Sequence, residues 1–266
     1  MGSAKEQGRL WGAAVDDWAA VCEPWSRPLY AATLAAVSSL AGMDLLDAGC
    51  GSGLALKLAA DRGARVAGLD AAAAMVERAA DRVPGADLRV GDIADLPFED
   101  GVFDVVTAFN SVQYAADPAA AVADLVRVTR PGGRVALGVW GDPERCETEI
   151  LFRRIRDLAP SSAAPLAISA PGVVEGLLAG AGLAVATVGE VECPFTFPDR
   201  ETGWRGQSAI GPLRAAIDAA GESAVRAAYA DAVDRFRQPD GSYRQRNVFR
   251  YVVGRKPAQV ESSAAT

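Results

Sequence analysis

The sequence predicts an open α/β fold: a mostly parallel sheet with helices on both faces. Three observations lead there. Strand and helix patterns alternate from residue 43 to residue 139, the strand segments are close to continuously apolar, and the first of them runs into a glycine turn, Asp47-Ala-Gly-Cys-Gly-Ser-Gly53, that opens a helix. Continuous apolar runs suit strands buried on both faces, which helices covering a parallel sheet provide.

The first 38 residues read as a helical cap. Trp11, Trp18 and Trp25 recur every seven positions, near one face of a helix, although Pro24 breaks the run before the last of them. Docking on the core and closing over a ligand fit that face equally well. There follow an expected strand 43–48, helix 53–61, strand 65–69, helix 72–82, strands 87–91 and 103–109, helix 117–129 and strand 134–140. Asp117-Pro118 supplies an N-cap and a first-turn proline, and Arg130-Pro-Gly-Gly133 ends the helix.

Beyond Trp140 the pattern gives a helix over 147–158, a Pro/Ser/Ala-rich loop over 159–171, a helix over 172–181 and a strand over 184–196. Arg244 to Gly254 reads as a last strand. Residues 198–240, with helices near 208–219 and 222–237, exceed what a hairpin needs and are expected to form a lid over the substrate. The plan is a cap over 1–38, an α/β domain over 39–256 carrying the lid, and a frayed tail over 257–266.

Composition narrows the class of function. A net charge of −7 argues against nucleic acid as a partner, since phosphate contacts need a basic surface. The longest apolar stretches are too interrupted by charge to cross a membrane, and the polar start Met1 to Leu10 lacks the apolar core of a secretory signal. A cytoplasmic protein acting on a small molecule is expected, with monomer and homodimer both open. Cys22, Cys50, Cys146 and Cys193 are widely spaced, so buried thiols are expected rather than a zinc site or disulfides. No carboxylate triad with metal spacing stands out, and no metal is expected. Arg153, Arg154 and Arg156 cluster as on a solvated helix face.

The glycine turn lets backbone approach a ligand closely and points the first amides of a helix at it. Asp70 ends the next strand about 20 residues on, where a βαβ unit offers an acid to a ribose diol. Asp92 ends the third strand, placed to accept from an adenine amine while Ile93 packs on the ring. A nicotinamide dinucleotide site wants Gly-x-Gly-x-x-Gly, whereas here the third glycine follows only two positions after the second.

In order over residues 40–140, the Asp47-x-Gly-x-Gly-x-Gly53 turn, Asp70 with Met75, Gly91-Asp-Ile-Ala-Asp-Leu-Pro-Phe98, Phe103-Asp-Val-Val106 and Arg130-Pro-Gly-Gly-Arg134 resemble the motifs of class I S-adenosylmethionine-dependent methyltransferases. The small-molecule and ubiquinone/menaquinone-type branch, methyltransferase domain 11, is the most similar. The resemblance implies a Rossmann-like, seven-stranded sheet whose last two strands form an antiparallel pair. It implies S-adenosylmethionine as cofactor and S-adenosylhomocysteine as product. Asp47, Gly49, Cys50 through its backbone, Gly51 and Gly53 would form the turn of the site, and Asp70, Ala71 and Met75 its ribose side. Asp92, Ile93 and Ala94 would hold adenine; Asn110, Ser111 and Gln113 would border the methionine end, with Trp18 closing over it. Tyr114 and Trp140 are the expected acceptor contacts, Tyr114 also being a candidate to orient the acceptor or relay its proton. Tyr30, Phe195, Phe197 and Trp204 are further aromatics in segments that could frame an acceptor pocket.

The chain contains no histidine, which excludes a histidine base. In-line methyl displacement without one suits a nitrogen, an acidic oxygen or an activated carbon acceptor. A second reading keeps the cofactor pocket but assigns another reaction, such as a cyclisation; release of S-adenosylhomocysteine separates the two.

Overall fold

Alternate residues of the central strands are apolar and buried on opposite faces, so the sheet needs helices on both sides. Leu46, Val106, Leu137 and Val252 point into one core and Leu45, Val105, Ala136 and Val253 into the other. The computed structural model describes residues 3–37, 39–159 and 168–258. Most of the expected tail over 257–266 and most of the expected loop over 159–171 lie outside the described residues.

The chain starts with α1 (Ala4–Gly12), α2 (Val15–Asp17), a π-helical turn Trp18–Cys22, a 3-10 turn Glu23–Ser26 and α3 (Arg27–Ala36). There follow β1 (Asp44–Ala48), α4 (Leu54–Ala60), β2 (Arg65–Asp70), α5 (Ala73–Arg82), β3 (Asp87–Val90), β4 (Phe103–Phe109), α6 (Pro118–Val128) and β5 (Thr129–Trp140). The remainder is α7 (Glu149–Leu158), α8 (Val173–Gly180), β6 (Ala184–Glu192), β7 (Phe195–Phe197), α9 (Arg200–Ser208), α10 (Gly211–Ala220), α11 (Glu222–Val233), β8 (Tyr243–Gln245) and β9 (Val248–Arg255).

Seven strands form one sheet in the order β3-β2-β1-β4-β5-β9-β6. The first five pair in parallel, and β9 runs antiparallel to both β5 and β6. This is the expected seven-stranded, mostly parallel α/β sheet. Strand order turns back between β1 and β4, which leaves a crevice above their carboxyl ends.

Three local expectations are corrected. The tryptophan repeat is not one helix: the chain breaks at Ala14, which has φ −148° and ψ 50°, and then widens through the π turn and tightens through the 3-10 turn. Trp25 is thereby rotated away from the other two and stacks on Phe195 in the core, ring centroids 4.5 Å apart. The strand expected over 184–196 splits at Cys193-Pro194, where proline has no N–H to continue a ladder, and its far end pairs with β8 as a separate two-stranded sheet. Residues 198–240 hold three helices rather than two, because Asp199 accepts from the Thr202 amide at 2.7 Å and starts a helix there. All four cysteines are buried and free. Among the described residues no helix is long and apolar enough to cross a membrane.

Candidate active site

The turn after β1 is held open by backbone geometry that only glycine tolerates well. Gly49, Gly51 and Gly53 have φ of 83°, 52° and 84°. A Cβ on Gly49 would stand 2.3 Å from the Ser111 side chain, so the turn and the loop after β4 approach each other closely because that carbon is missing. Ser111 fixes the approach by donating to the Ala48 carbonyl at 2.8 Å.

Asp70, half-buried at the end of β2, grips this turn. Its Oδ2 accepts from the Gly51 amide and its Oδ1 from the Ala72 amide, both at 2.9 Å. Burial raises its pKa against the pull of those amides. Each oxygen keeps a second lone pair for a ligand hydroxyl. Asp92 is arranged alike after β3, accepting from the Ala94 amide at 3.0 Å.

Asp47 lies deeper, 2% exposed, and accepts from Thr107 Oγ1 at 2.7 Å. Burial pushes its carboxyl up to about 8, and the nearby charges of Asp70 and Glu23 push the same way. At neutral pH it is mostly protonated in the ligand-free protein.

Asn110 follows β4 at φ 50°, the one non-glycine residue at positive φ among the described residues. Its amide donates to the Gly138 carbonyl at 2.7 Å, while its Oδ1 is buried without a partner. A backbone held in this conformation beside an unsatisfied acceptor is characteristic of a ligand clamp. From the cap, Trp18 also brings a buried and unpartnered atom, its Nε1. Its ring meets Trp11 edge-on at 5.1 Å, and Trp11 meets Tyr114 at 5.4 Å. Burial drives the Tyr114 phenol far above its usual range, so it remains a protonated donor rather than a base.

These groups share one cavity above the β1/β4 crevice. Of the sequence-predicted residues, Asp47, Gly49, Cys50, Gly51, Asp70 and Ala71 line it, as do Met75, Asp92, Ile93, Asn110, Ser111, Tyr114 and Trp18. Gly53, Ala94 and Gln113 do not, although both polar atoms of the Gln113 side chain are buried and unpaired. Trp140, expected at the acceptor, is corrected to a core residue. It sits opposite Phe249 of β9, which turns its ring into a cluster with Phe249 at 4.4 Å and Phe152 at 5.4 Å. Phe195, Phe197 and Trp204 belong to the same core, whereas Tyr30 does line the cavity.

The expected lid contributes nothing to the lining, the cap takes the ligand-closing role that was one of two open to its tryptophan face, and one lining residue, Glu23, was missed from sequence. No residue of 198–240 is among those that line the cavity; the cover is the cap, through Ser3, Gln7, Trp11 and Trp18. Glu23 also lines it, 2% exposed. Its Oε2 accepts from Ser52 Oγ at 2.6 Å and pairs with Arg82, and its Oε1 accepts from the Leu54 amide at 3.2 Å, capping α4. The available signal was a single acid inside an otherwise apolar stretch, Trp18-Ala-Ala-Val-Cys-Glu-Pro-Trp25.

Residues 46–137 match the family model described as a methyltransferase domain. Through this segment the chain is similar to methyltransferases. A Mycolicibacterium smegmatis protein assigned as an S-adenosylmethionine-dependent methyltransferase is 44% identical over 93 residues, covering 35% of this chain and 36% of that one. The nocamycin O-methyltransferase of Saccharothrix syringae is 43% identical over 119 residues, 42% of each chain. The chain spans about two-fifths of the length of the curated relatives it matches. A Bacillus halodurans structure assigned as a methyltransferase shares the fold at 18% identity and TM-score 0.60, over 86% of this chain and 99% of that one. A 4+2 cyclase shares it too, at 20% identity and TM-score 0.57, over 87% of this chain and 81% of that one. Fold alone therefore does not fix the reaction.

The residues that line the cavity fit a positively charged nucleoside. Two strand-end carboxylates keep accepting capacity, Trp18 Nε1 and Asn110 Oδ1 await partners, and among the described residues no Lys or Arg lines the cavity. A pyrophosphate would find four carboxyl groups and no cation there.

Proposed function

We propose that this protein is an enzyme that uses S-adenosylmethionine to methylate a small molecule. The observation that carries the reading is the cation-free cavity at the point where strand order turns back, lined by Glu23, Asp47, Asp70 and Asp92. When bound, S-adenosylmethionine supplies a methyl group already activated on a positive sulfur. Asp70 would accept from the ribose hydroxyls and Asp92 from the adenine amine, with Ile93 and Met75 against the apolar faces. Asp47, Asn110 and Ser111 would hold the methionine end, beside the turn whose backbone Gly49 brings close. Trp11, Trp18 and Tyr114 exclude water from above.

A group that is already activated asks the protein mainly for alignment and dryness, not for a strong base. The absence of histidine and the protonated state of Tyr114 accord with that demand. The relatives' names point the same way: the matched proteins include methyltransferases of small natural products and quinones.

The test is ligand-dependent melting. A ligand that binds only the folded state stabilises it by about 2.7 kcal/mol at a hundredfold excess over Kd. S-adenosylhomocysteine should raise Tm clearly and NAD should not; equal shifts overturn the reading. Asp70→Ala should abolish the S-adenosylhomocysteine shift while the far-ultraviolet circular dichroism stays that of the folded protein.

A further inference from the structure

We propose that the acceptor is an amine carried on an aromatic or apolar frame, held between the cap and the loop after β4. This rests on the cofactor reading above and concerns the part of the cavity left once the strand-end acids are assigned to the nucleoside. That part is walled by Trp11, Trp18, Tyr30, Phe109 and Tyr114. Its polar groups are Ser3 and Gln7 of the cap, Glu23, Ser26 and the two phenols, and burial keeps both phenols protonated.

The electrostatics favour nitrogen over an anionic oxygen. Among the described residues the whole cavity presents four carboxyl groups, Asp47 among them as the protonated one, and no basic side chain. Arg82 offsets Glu23 from outside the lining, and Asp47 is a reserve that ionises when a cation arrives. A phenolate or carboxylate acceptor would enter this field against repulsion, with no partner to hold it. An ammonium is attracted instead, and aromatic faces add cation–π attraction. The carboxylates do not converge into a chelate: among the described residues no three of His, Cys, Asp or Glu come together as a metal-holding group. The field is therefore suited to an organic cation.

Charge is also conserved along the transfer. The bound ammonium first gives a proton to water, and the lone pair this frees forms the new N–C bond as the C–S bond breaks with its electron pair onto sulfur. One positive charge thus passes from sulfur to nitrogen, and the methylated ammonium then gives a proton to water. The acids that attract a cationic sulfur serve the cationic nitrogen equally, so the field is complementary on both sides of the barrier. With an anionic oxygen the charges would annihilate, and the field would oppose the reactant it has to bind.

Calorimetry on protein saturated with S-adenosylhomocysteine tests this, using three indoles of one frame: tryptamine, tryptophol and indole-3-acetate. Tryptamine should bind at least about tenfold tighter than indole-3-acetate, with tryptophol between them. With S-adenosylmethionine, mass spectrometry should find the methyl group on the tryptamine nitrogen. Equal or tighter binding of indole-3-acetate, methylation of tryptophol oxygen in preference, or binding of none of the three overturns the amine assignment while leaving the cofactor reading intact. Failure of S-adenosylhomocysteine itself to bind overturns the cofactor reading, and the two failures are read in separate titrations.

Discussion

Asp47 shows how one buried carboxyl can make both stability and binding depend on pH. Its ordinary pKa is 3.8 and burial pushes it up to about 8 in the folded protein. The native state therefore holds a proton that the unfolded chain releases, so stability is greatest below the unfolded value and is lost as pH rises from about 4 to about 8. Asp70, also raised by burial, acts in the same direction. Carboxylates held low, such as Asp44 beside Arg65, titrate below this window. The ligand-free protein should thus melt at a falling Tm between pH 5 and 8. Asp47→Asn, which can still accept from Thr107, should flatten that slope and raise Tm at pH 8. A cation favours ionised Asp47, so wild-type S-adenosylmethionine affinity should rise over the same range and that of Asp47→Asn should not. A Tm slope unchanged by the substitution would mean the carboxyl is already ionised.

Among the elements, those legible in the sequence are the ones built from local rules. The glycine turn, the strand ends at Asp70 and Asp92, and the Asp117-capped α6 follow from φ preferences, two-residue periodicity and capping, all readable within a few residues. What was not legible depends on partners far apart in the chain. The insertion was expected as the lid, but α9 to α11 lie against α7 and the Trp18–Cys22 turn, and of the two roles open to the cap it is the covering of the cavity that its lining residues take. Trp140 was placed correctly at a strand end, but which face its ring takes is set by pairing with Phe249, more than a hundred residues later. Two substitutions separate cover from core. Trp204→Ala removes a ring that is 5% exposed and outside the cavity lining, and should cost about 3 to 5 kcal/mol of stability with S-adenosylhomocysteine affinity unchanged. Trp18→Ala should weaken that affinity about tenfold or more at little cost in Tm. If Trp204→Ala weakens binding as much as Trp18→Ala, the insertion does reach the ligand.

At the scale of the whole molecule, the cap and the sheet are joined through Glu23. This residue belongs to the cap yet satisfies Ser52 and Leu54 beside the glycine turn and pairs with Arg82 at the end of α5. A ligand pressing on the turn therefore presses on the cap as well, and no residue of α9 to α11 is among those that line the cavity. Glu23→Ala would leave Arg82 and the Leu54 amide without their acceptor, and breaking such a buried pair costs about 3 to 5 kcal/mol. Glu23→Gln keeps an acceptor and should recover most of that loss. Hydrogen exchange gives the coupled readout. In wild-type protein, S-adenosylhomocysteine should slow exchange in Trp11 to Tyr30, the glycine turn and the loop 109–115 together, and leave α10 and α11 unchanged. In Glu23→Gln the turn should still be protected while protection of the cap falls, because the contact that transmits ordering has lost its ion pair. Protection confined to the turn and loop in wild type would show that the cap is a passive cover, and protection spreading equally into α10 and α11 would show that the molecule closes as one body.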